Sequence, residues 1–406
     1  MTSAISPTLL LAPSVIDDPN SFYARLRAEA PVWEIADTGV FAISTFERVA
    51  EATNRVDDFS SNITCLLYRD GDGLPCRLVY GDAGVQALAT ADPPAHAFHR
   101  SAVFPDLVAK RMTELEPHVI VLTEALVKHA LDEGTVDFMT TIGNVVPITM
   151  ISRLIGFHDS NLDQLMRAAF DSTAMLGSTL SLDELTEHIN RTAEIQGWIA
   201  SQLARATEDP GEDLLGAVAR GLIAETFTPM QANVILHTLL SAGGESTTSL
   251  LGNAVRILAE HPDLQQHLRS HPELIPIFVE EAARLESPFR YLMRSTHHDT
   301  AIGGVEIPAG ATVLLLWGAA KRDDAEFVNA GVVDLERPIP KRHVAFGRGI
   351  HHCVGAPLAR METRCVLTVL LEHTTSITLD RDKTPRWVNS LMARRHEYLP
   401  IRIATR

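Results

Sequence analysis

Thirty consecutive residues, Thr226–Val255, carry a single charged side chain, Glu245. In a chain with 21% charged residues, a stretch that apolar must be buried along its whole length. Thr228-Pro229 supplies a hydroxyl N-cap and a first-turn proline, and His261-Pro262 supplies a stop. The spacing predicts one helix of ~33 residues, about 50 Å at ~1.5 Å per residue, long enough to cross a whole domain. Gln231, Asn233, His237 and Thr238 interrupt the apolar run, which places the helix in a protein interior rather than a bilayer.

The rest of the chain supports one large, mainly α-helical domain over residues 1–406 with a small β-rich region. A helix is expected from Asp17-Asp18-Pro19 to about Ala30, then a hairpin of Val32–Ile35 and Val40–Ser44. Residues 60–91 read as irregular. Asp92-Pro93-Pro94 reads as a helix start, with Asp92 as N-cap. From about residue 107 to 260 the pattern is nearly all helix. Leu274–Leu285 is a further helix, strands are expected near Ala301–Ile307 and Thr312–Trp317, and a helix runs from Pro357 to about Glu372. The last 30 or so residues read as short strands.

Composition narrows function. Against 35 Lys and Arg stand 51 Asp and Glu, a net charge of −16, which disfavours nucleic-acid binding. Four cysteines read as thiols in a reducing compartment. Residues 1–16, a flexible lead-in by this reading, are uncharged but broken by Pro7 and Pro13, and the first basic residue is Arg25. Neither an export signal nor a membrane anchor is expected, and the location is taken as cytoplasmic.

The strongest local signal is Phe346-Gly347-Arg348-Gly349-Ile350-His351-His352-Cys353-Val354-Gly355, running into Ala356-Pro357. Cys353 sits just before a helix start, where unpaired amides and the helix dipole favour thiolate. Glycines at 347, 349 and 355 let the backbone approach a flat object. A thiolate on a glycine-lined turn suits ligation of haem iron from one side. A zinc site from His351, His352 and Cys353 lacks a second ligand pair. Cys65, Cys76 and Cys365 have no comparable context.

This loop resembles the cysteine-ligand loop of the cytochrome P-450 family, haem-thiolate monooxygenases, whose pattern Phe-x-x-Gly-x-x-x-Cys-x-Gly it matches at every fixed position. The resemblance runs from about residue 17 to the end. It implies the P-450 fold, haem b with Cys353 as metal ligand, and Phe346, Gly347 and Gly355 against the cofactor.

In Ala242-Gly243-Gly244-Glu245-Ser246-Thr247, two adjacent glycines mid-helix each cost roughly 1 kcal/mol relative to alanine, so close approach of a ligand or a widened turn is expected. A lone acid beside two hydroxyls reads as a proton relay. By the resemblance, Ala242 lies against haem, Glu245 is the acid and Ser246 the alcohol. The family's alcohol is most often threonine, and Thr247 follows one position later. A step of one residue turns a side chain ~100°, so Ser246 and Thr247 do not both face the same point on a regular helix.

His96 and Arg100, four apart, make one face suited to a dianion such as two propionates. The family's Asp-Pro-Pro-x-His-x-x-x-Arg resembles this segment, and Arg294 and His351 match its other propionate positions. His99 is given no role. Glu281-Ala282-Ala283-Arg284 reads alone as an ordinary i,i+3 surface pair. The family resemblance makes it a buried pair that holds the cysteine loop, joined by Arg337.

The resemblance implies insertion of one oxygen atom of dioxygen into a small lipophilic substrate, with electrons from a separate ferredoxin and ferredoxin reductase. Arg348, Arg360 and Arg364 offer a basic dock for such a partner. Met166, Phe170, Met175 and Leu176 are candidate pocket residues, or plain core. A peroxygenase or non-oxygenating haem-thiolate enzyme is the alternative within the fold. A haem-thiolate sensor is the alternative outside enzymes.

Overall fold

The computed structural model describes residues 5–81, 84–103, 109–338 and 340–406. The long central helix runs Pro229–Glu260. A reciprocal box caps it: Thr228 Oγ1 accepts from the Gln231 amide, and Gln231 Oε1 accepts from the Thr228 amide. Helices Val145–Ile155, Leu162–Met175, Leu182–Glu208, Leu214–Ile223, Ile275–Leu285 and Ala356–His373 all pack against it. The largest apolar core forms around this helix and takes in Leu236, Leu240, Leu251 and Leu258. That burial on nearly every side is why thirty residues tolerate only one charge.

The glycine pair leaves no break. The helix is continuous through Gly243 and Gly244, and their missing Cβ atoms make room for neighbouring helices. A Cβ on Gly243 would lie 2.9 Å from Ile151 Cδ1, and one on Gly244 would overlap Ile148 Cδ1. Both isoleucines belong to Val145–Ile155. The expected widened turn is corrected to close helix packing.

His237 ties the helix to Leu162–Met175 through a 2.6 Å hydrogen bond between its Nε2 and Ser172 Oγ. Burial pushes its imidazole down from 6.5 to about 4. A histidine held neutral in the fold stabilises above the unfolded value, and that stability is lost as pH falls from 6.5 toward 4. At pH 5 the loss is about 2 kcal/mol. Unfolding free energies from urea titrations at pH 7 and pH 5 should therefore differ less in His237→Gln, by about that amount, than in the parent.

A five-stranded sheet has the order Val32–Ile35, Val40–Ile43, Thr312–Leu315, Leu292–Thr296, Phe59–Ser60. Its one parallel pair joins Thr312–Leu315 to Val40–Ile43. At the other end of the chain, Pro400–Thr405 pairs with both Thr374–Leu379 and Thr135–Asp137. Strand Thr135–Asp137 and a π-turn at Met139–Gly143 interrupt the expected run of helices from 107 to 260.

Other expectations shift locally. Within 60–91, Cys65–Arg69 and Pro75–Val79 form a hairpin, its turn organised by Asp70 Oδ1, which accepts from the amides of Asp72 and Leu74. Residues 301–307 form a hairpin instead of one strand, turning at Gly303-Gly304 with φ of 59° and 80°. The helix after Asp92 begins at Ala95. Asp92 binds Ser60 Oγ and the Ser61 amide instead of capping it. Residues 5–16, expected as flexible, form the turns Pro7–Leu11 and Pro13–Asp17, because Leu10, Leu11 and Ile16 are buried. Residues 1–4 lie outside the described residues. No described helix is long and apolar enough to cross a membrane.

Candidate active site

Cys353 sits at the base of a tight loop. Its amide donates to the Phe346 carbonyl over 2.8 Å, and the Gly347 amide donates to Val344 over 3.0 Å. Gly347 and Gly349 have φ of 67° and 68°, a region glycine enters without strain. Gly355 caps Ala356–His373, and a Cβ there would lie 3.8 Å from Cys353 Sγ, so its absence keeps space open beside the sulfur. Cys353 is exposed, whereas Cys65 and Cys365 are buried. Burial of its sulfur is nevertheless the largest influence on the thiol and pushes it up. The Gly355 and Ala356 amides, Arg360 and Arg100 oppose that shift. The expected helix-end effect is present but smaller than desolvation.

Around the loop stands a group of arginine and histidine side chains. The rings of His96 and His351 lie 4.1 Å apart, tilted by 50°. Arg294, on strand Leu292–Thr296, is buried at 6% exposure, and burial pushes it down to about 10 despite Asp92. His351 is pushed down to about 3 by burial, then by His96, Arg294 and Arg100, with Asp92 opposing. Its buried Nε2 has no hydrogen-bond partner. Arg100 Nη1 donates to the His352 carbonyl over 2.9 Å, tying this group to the cysteine loop. Asp92, which opposes these shifts, is engaged by Ser60 and Ser61. An orphaned imidazole and two arginines around one small volume suit a dianion. With the open thiol and the glycine cradle, these residues fit haem. No group of three or more His, Cys, Asp or Glu suited to a metal ion occurs among the described residues, so the zinc alternative gains nothing. His99 plays a local part: its Nδ1 accepts from the Leu88 amide.

On the central helix, Ala242 is exposed and Ser246 partly so. The Ser246 hydroxyl donates to the Ala242 carbonyl over 2.6 Å. Thr247 is 2% exposed and turned into the core, as the ~100° step requires. Glu245 is 1% exposed and ion-paired with Arg395, Nε to Oε1 2.8 Å. Arg395 in turn lies 3.9 Å over the Phe170 ring. No sequence signal marked Arg395, because its partner is 150 residues away.

The Glu-x-x-Arg pair is buried, not a surface pair. Glu281 accepts from Arg284 Nε and Nη2, each at 2.8 Å, and from Arg337 Nε at 2.9 Å. A second network escaped the sequence reading. Glu280 accepts from Arg360 Nε at 2.6 Å and pairs with His343 Nε2 at 3.0 Å. The Arg360 guanidinium also lies 4.1 Å over the Phe346 ring. Phe346 is thus braced from behind. Arg360 and Arg364 are less available as a dock than expected, since Arg364 pairs with Glu116 at 2.8 Å.

The cytochrome P450 family profile matches residues 270–398, the stretch holding the Glu281 pair, Arg294 and the Cys353 loop. Over 405 residues the chain is 37% identical to cytochrome P450 144 of Mycobacterium tuberculosis, covering 99% of this chain and 93% of that protein. It is 31% identical to 6-deoxyerythronolide B hydroxylase of Saccharopolyspora erythraea over 78% of each chain. The structure of cytochrome P450 CYP109Q5 from Chondromyces apiculatus superimposes with a TM-score of 0.82 at 28% identity, over 98% of both chains. With a relative at that identity over 99% of the chain, the chain belongs to the cytochrome P450 family and is a haem monooxygenase.

Proposed function

We propose that this enzyme inserts one atom of dioxygen into a small lipophilic substrate, using haem b ligated by Cys353 and electrons from a ferredoxin and its reductase. The observation that carries the haem assignment is the exposed Cys353 beside His96, Arg100, Arg294 and His351, whose buried Nε2 has no hydrogen-bond partner. When bound, haem supplies one-electron chemistry and dioxygen activation, which a thiolate ligand biases toward O–O cleavage.

The chain's residues do the rest. Cys353 would hold haem iron as a thiolate, since a thiol that coordinates a metal is deprotonated. The Gly355 and Ala356 amides would temper charge on sulfur. His96, Arg100, Arg294 and His351 would hold the propionates, with His351 Nε2 free to donate or accept there. Ser246 is the working alcohol, since Thr247 faces the core. Glu245 passes protons to Ser246 and is positioned by Arg395. Hydroxylation as the reaction type is supported by the relative named 6-deoxyerythronolide B hydroxylase. Phe170 and Met166 are half-buried against the main core, whereas Leu176 joins a separate core group.

A groove of about 590 Å³ lined by Pro276, Ile277, Pro357, Met361 and Lys341, with Arg360 paired to Glu280 at its wall, is a candidate docking place for the electron donor. Arg348, exposed on the cysteine loop, adds charge near the ligand. A reducing, cytoplasmic setting accords with four free cysteines.

Ser246→Ala tests the relay. Nicotinamide consumption should continue while the share lost to peroxide rises several-fold, measured as product formed per reduced cofactor. Unchanged coupling sinks the role of Ser246. Peroxide-driven turnover at the parent's full rate, with none from dioxygen, would favour the peroxygenase reading.

A further inference from the structure

Glu245, Thr248 and Gly252 follow one another at three- and four-residue steps and so share one face of the central helix. That face meets residues 395 and 396. Arg395 Nε donates to Glu245 Oε1, and a Cβ placed on Gly252 would lie 3.5 Å from His396 Cδ2. Thr248 stands between these two contacts.

Four atoms along this seam form no well-made hydrogen bond within the protein: Glu245 Oε2, Thr248 Oγ1 and both ring nitrogens of His396. The three residues are 1%, 0% and 0% exposed. Leaving such atoms unsatisfied costs about 1–3 kcal/mol each, and buried polar groups of this kind are ordinarily served by ordered water. His396 is stacked on Trp387, ring centroids 3.6 Å apart. Burial first, then Arg256, Arg394 and Arg395, keep its imidazole well below the ordinary value, with the Arg386 main chain opposing. A neutral imidazole both donates and accepts, as a threonine hydroxyl does. Trp387 is half-buried and Arg386 exposed, so the seam reaches the surface along the Arg386–Trp387 strand.

We propose that this seam holds ordered waters that form the proton supply line of Glu245, running from the Arg386–Trp387 strand past His396 and Thr248 to Glu245 Oε2. The inference rests on Glu245 as the acid of the relay. Arg395 occupies Oε1, which leaves Oε2 to carry the proton. Glu245 takes a proton from the waters at Oε2 and passes it on, returning to the carboxylate that Arg395 pairs with. Thr248 and His396 accept one and release one, so one proton enters from bulk for each delivered.

Two measurements on the haem-loaded enzyme test this. A high-resolution crystal structure should show waters bonded to Glu245 Oε2, Thr248 Oγ1 and a His396 nitrogen. Thr248→Val, close in volume but without the hydroxyl, should lose the water at that position. It should slow coupled product formation about tenfold, a fraction of the ~10²–10⁴-fold that positioned proton transfer contributes. Its solvent deuterium isotope effect should rise, while its ferrous–carbon monoxide spectrum stays as in the parent. His396→Phe, which keeps the stack on Trp387, should behave likewise. A dry seam overturns the proposal. So does normal coupling in both variants when Glu245→Gln is uncoupled. Normal coupling in Glu245→Gln removes the role of Glu245, and the supply line with it.

Discussion

Glu281→Gln is expected to remove about 3–5 kcal/mol of folding stability, the range for breaking a buried ion pair from one side. Burial alone would raise the Glu281 carboxyl, but Arg284 and Arg337 outweigh it and hold it below the ordinary carboxylate range. The substitution preserves volume and can keep an acceptor for the Asp334 amide, now 2.9 Å away. It leaves Arg284, at 0% exposure, without a counter-charge and Arg337, at 8%, with only Asp334 Oδ2 at 3.8 Å. Arg284 also donates to the carbonyls of Lys321, Ala330 and Val332. Any tilt of its plane therefore loosens the 321–337 stretch that leads into the cysteine loop. Total stabilities of ~5–15 kcal/mol make such a loss close to unfolding. Urea denaturation followed by circular dichroism measures it. A midpoint equal to the parent's would mean the triad is dispensable.

The second large effect is on chemistry. Cys353→Ser is expected to abolish oxidation of any substrate the parent accepts, to below about one part in 10³, because a serine hydroxyl is not deprotonated as readily as a thiol and is a harder ligand. Haem should still bind, since His96, Arg100, Arg294 and His351 do not depend on the sulfur. Haem content by pyridine extract, read beside product formation, separates the two roles. Parent-level turnover in the variant would remove Cys353 from the mechanism.

What was legible in the sequence was local. The cysteine loop is ten consecutive residues, and its glycines announce the φ values that the structure shows at 347 and 349. The central helix was legible because burial on all sides leaves a compositional trace of one charge in thirty residues. Pairings across the chain left none. Arg395 and Glu245 are 150 residues apart, and Arg360 and Glu280 are 80 apart. Nothing in either neighbourhood singles out its partner. The glycine pair shows the complementary error. Gly243-Gly244 marks a close approach, but sequence alone does not say whether ligand or helix does the approaching. Ile148 and Ile151 do. The hairpin at 65–79 was missed because Leu66 and Leu67 adjoin, which spoils the alternation that identifies a strand, and its turn is set by Asp70 side-chain bonds.

The most direct test of the central claim, that Cys353 presents a thiolate to haem iron, is the ferrous–carbon monoxide difference spectrum of the purified protein. The geometry predicts the strongly red-shifted Soret band specific to thiolate ligation. A haem-replete protein lacking that band would contradict the assignment of Cys353 and, with it, the route by which this site activates dioxygen.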